Sequence, residues 1–356
     1  MKKIIIIGLT PQGLAMLRIL SRAGHQVIAF TNTKKVVGYY SKYGDKRIFN
    51  DVVNLKSQIE KIVKAETKKI DCIITSGELL ALIISEYPEL YDICNVQSGP
   101  LHLVKMLSHK NQMYDFATSR GLKSAKFKTL YEYKPGDLKF PIILKKNYEI
   151  PLFFKIKKIN SDYELSIFSK KIDTNNYKDI LIQEYINIEN YIFITYQAYL
   201  HYGEIKCYFI ARQTRRLSTG LTCFIEEIKN NNLRKKIKNL SENLLVKTNY
   251  NGFIEVEYIY NTDNEDIIFM ETNTRPCGTH SAFSYKFNNL HELFNQINNP
   301  PNLITNNKKI VWINIARDIK ARLINKDFRH LSQFFKAKRD ILDKDDLKPF
   351  IMQFFK

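Results

Sequence analysis

Short apolar runs alternate with amphipathic stretches through the first part of the chain. Ile4 to Ile7 predicts a buried strand, Gln12 to Arg22 a helix closed by Gly24, and Gln26 to Phe30 a second strand. Ile70 to Thr75 predicts another strand, followed by a helix from Gly77 to Glu86. Strand and helix in alternation predict an α/β, doubly wound N-terminal domain with a parallel sheet over residues 1–104. The glycines of Gly8-Leu9-Thr10-Pro11-Gln12-Gly13 do not have the G-x-G-x-x-G spacing of a dinucleotide fingerprint. No acid ends the second strand, which runs into Thr31-Asn32-Thr33-Lys34, so the glycines are read as serving a tight turn.

Near residue 105 the pattern changes to α+β. A helix is expected to open at Ser108 as its N-cap, to carry Lys110, Met113, Tyr114 and Phe116, and to end at Gly121. Strands are predicted at Lys139–Lys146, Phe153–Ile159, Ile180–Tyr185, Tyr191–Leu200 and Glu204–Ile210. The basic stretch Ala211–Thr222 is expected as a loop between a strand and a helix. The Asn/Pro-rich Asn298–Asn302 sets off a last segment, with a strand at Lys309–Ile315 and helical stretches after it. The expected divisions are 1–104, 105–190, 191–300 and 301–356.

The chemistry concentrates in one predicted hairpin. Phe253 to Tyr260 reads as a strand by its β-branched and aromatic content, Asn261 to Asp266 as a polar turn, and Ile267 to Pro276 as the returning strand. Successive side chains of a strand point to opposite faces, so Glu271, Asn273 and Arg275 share one face, with Glu257 on the preceding strand. Two carboxylates and an amide oxygen suit Mg²⁺, which keeps several waters and is completed by substrate phosphates; Mn²⁺ accepts the same oxygen ligands. Arg275 is placed to pair with a phosphate or carboxylate oxygen. An acid-rich hairpin face that is merely solvated is the competing reading of these residues alone.

Composition narrows the class. The chain has 356 residues, 44% hydrophobic and 26% charged, as in an ordinary globular protein of roughly two to three domains. The apolar run after Met1-Lys2-Lys3 ends at Gly8, too short for a signal sequence or membrane span, so a cytoplasmic protein without a membrane span is expected. Cys72, Cys94, Cys207, Cys223 and Cys277 show no paired spacing, which supports neither a zinc site nor a disulfide framework. The net charge of +19 fits an anionic substrate or carrier. Because Lys and Arg are spread along the chain, the charge does not by itself argue for a nucleic-acid partner.

Taken in order, the motifs resemble the ATP-grasp superfamily, over nearly the whole chain. Gly252 to Glu257 followed by Phe269 to Pro276 looks like the family's magnesium motif, which implies Glu257, Glu271 and Asn273 as metal ligands. Ser108-His109-Lys110 resembles a helix start whose lysine contacts phosphate, and Phe140 to Lys145 a strand whose final lysine reaches the α- and β-phosphates. Gln183, Glu184, Tyr185 and Ile186 resemble the hinge whose backbone reads adenine, with Glu189 at a ribose-contacting position. Pro11 to Ala15, Tyr40 to Tyr43, Val311 to Asn314 and Arg317-Asp318 resemble the carboxylate-amine ligase branch, near D-aspartate ligase-like proteins. The fold so implied is an α/β N-terminal domain followed by α+β ATP-grasp domains.

The resemblance implies ATP and Mg²⁺ as cofactors, and small-molecule carboxylate and amine substrates, anionic or carrier-bound. The carboxylate would be activated as an acyl-phosphate and joined to the amine. A thiol, hydroxyl or bicarbonate-derived partner, or a non-catalytic ATP-binding module, are the alternatives. Arg212, Arg215 and Arg216 stand before a Ser218-Thr219-Gly220 tip that resembles the family's substrate loop, which places them with Arg275 near the acyl-phosphate. His280 either faces the acceptor or caps a helix. Two departures stand out: no glycine occurs in Asn147-Tyr148-Glu149-Ile150-Pro151, where many members have a glycine-rich lid, so Lys155 or Lys157 would have to serve, and His109 replaces the usual acid before Lys110. A homodimer is the default expectation for the assembly.

Overall fold

The computed structural model describes residues 1–65, 70–148, 152–328 and 331–355; Glu149, Ile150 and Pro151 of the lid segment lie outside them. The first sheet contains β1 (Lys3–Ile7), β2 (Gln26–Thr31), β3 (Asp45–Ile48), β4 (Cys72–Thr75) and β5 (Asn95–Gln97), in the order β3-β2-β1-β4-β5. Its neighbours pair in parallel, Lys3 with Gln26 and Ile4 with Cys72. All five residues of β1 are buried, which is why its sequence is a continuous apolar run rather than an alternation. Gly8 (φ +96°) turns the chain into the helix Pro11–Arg22, and a Cβ on Gly13 would stand 2.1 Å from the Gly8 carbonyl oxygen. These two glycines permit a turn and a close helix–strand approach.

The second sheet is antiparallel, with β6 (Phe127–Thr129), β7 (Ile142–Lys146), β8 (Ile156–Ile159) and β9 (Ile180–Glu184) in the order β6-β9-β7-β8. The third contains β10 (Tyr191–His201), β11 (Glu204–Arg216), β12 (Thr222–Glu227), β13 (Gly252–Asn261), β14 (Ile267–Asn273), β15 (Val311–Ile313) and β16 (Lys338–Arg339). Its order is β14-β13-β10-β11-β12-β15-β16. The mixed α/β architecture, one parallel sheet and two largely antiparallel ones, follows the change of pattern near residue 105.

The chain folds as two compact units, one of Met1–Val104, Ile194–Glu255 and Asn273–Lys356, the other of Lys105–Phe193 and Val256–Thr272. The first is built around Ile4, Ile6, Tyr199, Phe209, Phe253, Phe283 and Trp312, with a second cluster of Ile5, Ile7, Ile28, Phe30 and Ile73. The other has its core between β6–β9 and the helix Asp162–Ser169, with Ile142, Leu144, Ile159, Leu165 and Ile182.

Two local expectations change. Ser108 ends the helix Leu101–Ser108, and His109 takes the N-cap position of the next helix, Lys110–Ser119. The buried Leu103, Val104 and Leu107 extend the helical apolar pattern up to Ser108 and so move the break one residue on. Likewise β11 runs through Arg216, so Arg212, Arg215 and Arg216 are strand residues. Only Leu217–Leu221 forms the turn, and β12 follows it before the helix Asn231–Leu245. Cross-strand pairing of Arg212 with Glu226 and of Gln213 with Ile225 is what holds this basic stretch extended.

Candidate functional site

In the unit of residues 105–193 and 256–272, Lys145 is the penultimate residue of β7, and its side chain is buried. Its Nζ donates to the Tyr114 hydroxyl and to Gln183 Oε1, both at 2.6 Å. Burial, reinforced by Lys110 and opposed by Glu271, lowers its pKa to about 7. Lys110, expected at phosphate, Gln183, expected in the adenine hinge, and Glu271, expected at the metal, all act on the one Lys145 ammonium. Lys110 opens its helix with its backbone N–H donating to the Asn147 carbonyl at 2.9 Å, and Asn111 N–H donates to Asn147 Oδ1 at 2.9 Å. Asn147 thus ties the start of this helix to the end of β7.

The sequence places Tyr114 on this helix and assigns it no role of its own. The structure buries its ring between Phe127 and Phe269, at centroid distances of 5.1 and 6.0 Å, and its hydroxyl donates to the Met270 carbonyl at 2.9 Å. The signal was present in the spacing, since Lys110 and Tyr114 are four apart and share a helix face.

Glu257 and Glu271 are half-buried on the adjacent strands β13 and β14. That they emerge on one face follows from a bond two residues away on each strand. Asn273 Nδ2 donates to Glu255 Oε2 at 3.0 Å, and strand alternation carries that common face to Glu271 and Glu257. Asn273 Oδ1 accepts from Arg275 at 3.0 Å, and Arg275 also donates to the Pro276 carbonyl at 3.2 Å. Glu255 is buried and accepts from Thr195 Oγ1 at 2.6 Å. Neither Glu255 nor Thr195 was singled out from the sequence, although Glu255-Val256-Glu257 placed two acids at the two-residue strand period. Among the described residues no three His, Cys, Asp or Glu side chains form a metal-binding group.

The hinge residues divide between roles. Gln183 turns its side chain to Lys145, whereas Glu184 Oε1 and backbone N–H bond to the Lys126 backbone at 2.8 and 2.9 Å. Tyr185 donates its N–H to the Pro141 carbonyl at 3.3 Å, and its ring lies 4.0 Å from Lys158 Nζ. Strand β9 ends at Glu184, so Ile186 lies beyond it, outside any strand or helix, and Glu189 is exposed and bonded to Asn187.

The basic residues of β11 lie apart from Lys145 in sequence and in their partners. Arg212 Nε donates to the buried Glu226 at 2.8 Å. Arg215 is buried against Asp318, which also accepts from Arg322, and against Asp327. Arg216 donates to the Gly220 carbonyl at 2.8 Å, closing the turn. His280 is buried in the core beside Phe253 and Phe283, its Nε2 is 2.9 Å from Met16 Sδ, and burial lowers its pKa to about 3. It is a neutral core residue that opens the helix His280–Lys286. Burial raises the Cys277 thiol well above its ordinary value, which rules against a thiolate nucleophile.

The chain has the ATP-grasp fold, the class its ordered motifs resemble. N5-carboxyaminoimidazole synthetase from Staphylococcus aureus, solved with ADP, is 18% identical with a TM-score of 0.68, covering 91% of this chain and 86% of that one. L-amino acid ligase from Bacillus licheniformis is 14% identical with a TM-score of 0.63, covering 82% and 70%. The biotin carboxylase domain of Hydrogenobacter thermophilus 2-oxoglutarate carboxylase, solved as a dimer with MgADP and bicarbonate, is 14% identical with a TM-score of 0.64, covering 81% and 67%. No protein-family model matches the chain, and no curated protein matches it in sequence. Among the described residues no helix is long and apolar enough to cross a membrane.

Proposed function

We propose that this chain is an ATP-dependent ligase that activates a carboxylate as an acyl-phosphate and joins it to an amine, releasing ADP and phosphate. The observation that carries the reading is the buried Lys145 ammonium, held by Tyr114 and Gln183 in the fields of Lys110 and Glu271. A buried cation with a lowered pKa is an anion site waiting for charge, because a bound phosphate offsets its desolvation. Support also comes from the neighbours, solved with ADP or MgADP.

Lys110 and Lys145 neutralise the nucleotide phosphates. Gln183 and the hinge Glu184 to Ile186 border the base, and Glu189 the ribose. Glu257, Glu271 and the Asn273 amide would hold a magnesium ion through their hard oxygens, and the ion would supply charge neutralisation for the phosphates. Arg275 is the cation assigned to the acyl-phosphate; Arg212, whose guanidinium is partly exposed, is the next. Phosphoryl transfer demands positioning and charge neutralisation more than covalent chemistry from the protein, which matches a site without an activated nucleophile. The protein is read as a homodimer acting on small molecules.

The test is ADP release from MgATP with pooled carboxylates, amino acids and amines, comparing the wild type with Glu271→Ala. Substrate-stimulated release that is abolished in a folded Glu271→Ala protein supports the ligase. ATP binding without stimulated release under any pool overturns it in favour of a binding module.

A further inference from the structure

We infer that Tyr114 is a positioning residue for Lys145, a hydroxyl relay that fixes the ammonium relative to the strand carrying Glu271. A tyrosine hydroxyl has one proton, and Tyr114 directs it to the Met270 carbonyl at 2.9 Å. Toward Lys145, 2.6 Å away, the same oxygen can then only accept, so the nitrogen must donate. Gln183 Oε1 accepts a second Lys145 proton at 2.6 Å. An ammonium has three donors, and these two bonds leave the third for a ligand anion.

The relay is rigid at each end. Tyr114 is fully buried and packed by Phe127 and Phe269, and Met270 directly precedes Glu271 on β14. Lys110 lies on the same helix face as Tyr114, so one helix supplies both the relay and a second cation. The charged groups that act on the ammonium are Lys110 on the helix and Glu271 on β14, and Tyr114 meets it through its hydroxyl. Burial raises the Tyr114 hydroxyl pKa, so it remains protonated over the working range and cannot act as a counter-anion. Its contribution is an accepted hydrogen bond that favours the charged lysine.

The consequence for phosphate binding rests on the nucleotide reading above, but the relay itself does not, and the experiment separates them. The Lys145 titration is followed by NMR in protein labelled with ¹³Cε-lysine, its resonance assigned by its absence from Lys145→Arg. Wild-type Lys145 is expected to titrate at about 7. In Tyr114→Phe the midpoint is expected to fall by about half a unit to one unit. A folded variant with an unchanged or raised midpoint overturns the relay. If Tyr114→Phe does not fold, 3-fluorotyrosine at position 114 keeps the packing and weakens the acceptor, and the same downward shift is required. MgATP affinity gives a second readout: Tyr114→Phe should lose about fivefold at pH 8 and less at pH 6, whereas equal loss at both marks a packing role and overturns the relay. A wild type that fails to bind MgATP overturns the nucleotide reading, and the titration alone then decides the relay.

Discussion

Lys145 Nζ lies 2.6 Å from Gln183 Oε1, a contact made across the antiparallel pairing of β7 and β9. Ile143 pairs with Gln183, so Lys145 sits diagonally two residues on and its stem reaches along the same face. A lysine in this setting costs stability when charged. On the proposed reading, a bound phosphate would offset that cost.

That cost has a pH signature. Lys145 is lowered from 10.5 to about 7, so between these values the unfolded chain binds the extra proton and this group's contribution to stability rises with pH. Lys145→Met removes the dependence. The variant should melt higher than the wild type below pH 7, with the gap closing as pH approaches 10.5 and MgATP affinity lost throughout. A gap that widens with rising pH contradicts the buried-ammonium picture.

Nucleotide binding should take up a proton. At pH 8 most Lys145 is neutral when free, and a bound phosphate raises its pKa. Calorimetry of MgATP binding in two buffers of different ionisation heat should show uptake of most of one proton at pH 8 and little at pH 6. No uptake at pH 8 would remove Lys145 from the phosphate site.

Glu255 organises Asn273 and Thr195, one carboxylate oxygen for each. Glu255→Gln offers one acceptor where two are required, so a buried donor is left unsatisfied. Urea unfolding should show a loss of about 1–3 kcal/mol. Unchanged stability would mean that Asn273 finds another partner.

Arg215 is expected to matter for folding more than for turnover. Its guanidinium is buried on Asp318, itself buried and shared with Arg322. Arg215→Met should destabilise by about 3–5 kcal/mol because it breaks a buried charge network. A variant with wild-type melting and no ligase activity would instead return Arg215 to the acyl-phosphate.

The order of elements and the two-residue placement of the hairpin's polar side chains were legible in the sequence alone. Apolar runs with flanking glycines marked β1, β2 and β4, and the two-residue period of Glu-x-Asn on β14 put both side chains on one face, because pleating is a local property of any strand. The same local logic marked Lys145 as a strand terminus. Only the tertiary structure decided what each group meets. Arg212, Arg215 and Arg216 read as a loop because charge is mostly solvated, yet pairing with β12 drew them into β11, where Glu226 and Asp318 take up two of them. The sequence assigned Tyr114 no role of its own. Its role is set by a single oxygen lying between a lysine of β7 and a carbonyl of β14, groups 31 and 156 residues away in the chain. Hydrogen bonds over such separations depend on how strands and helices pack, and no sequence window contains that information.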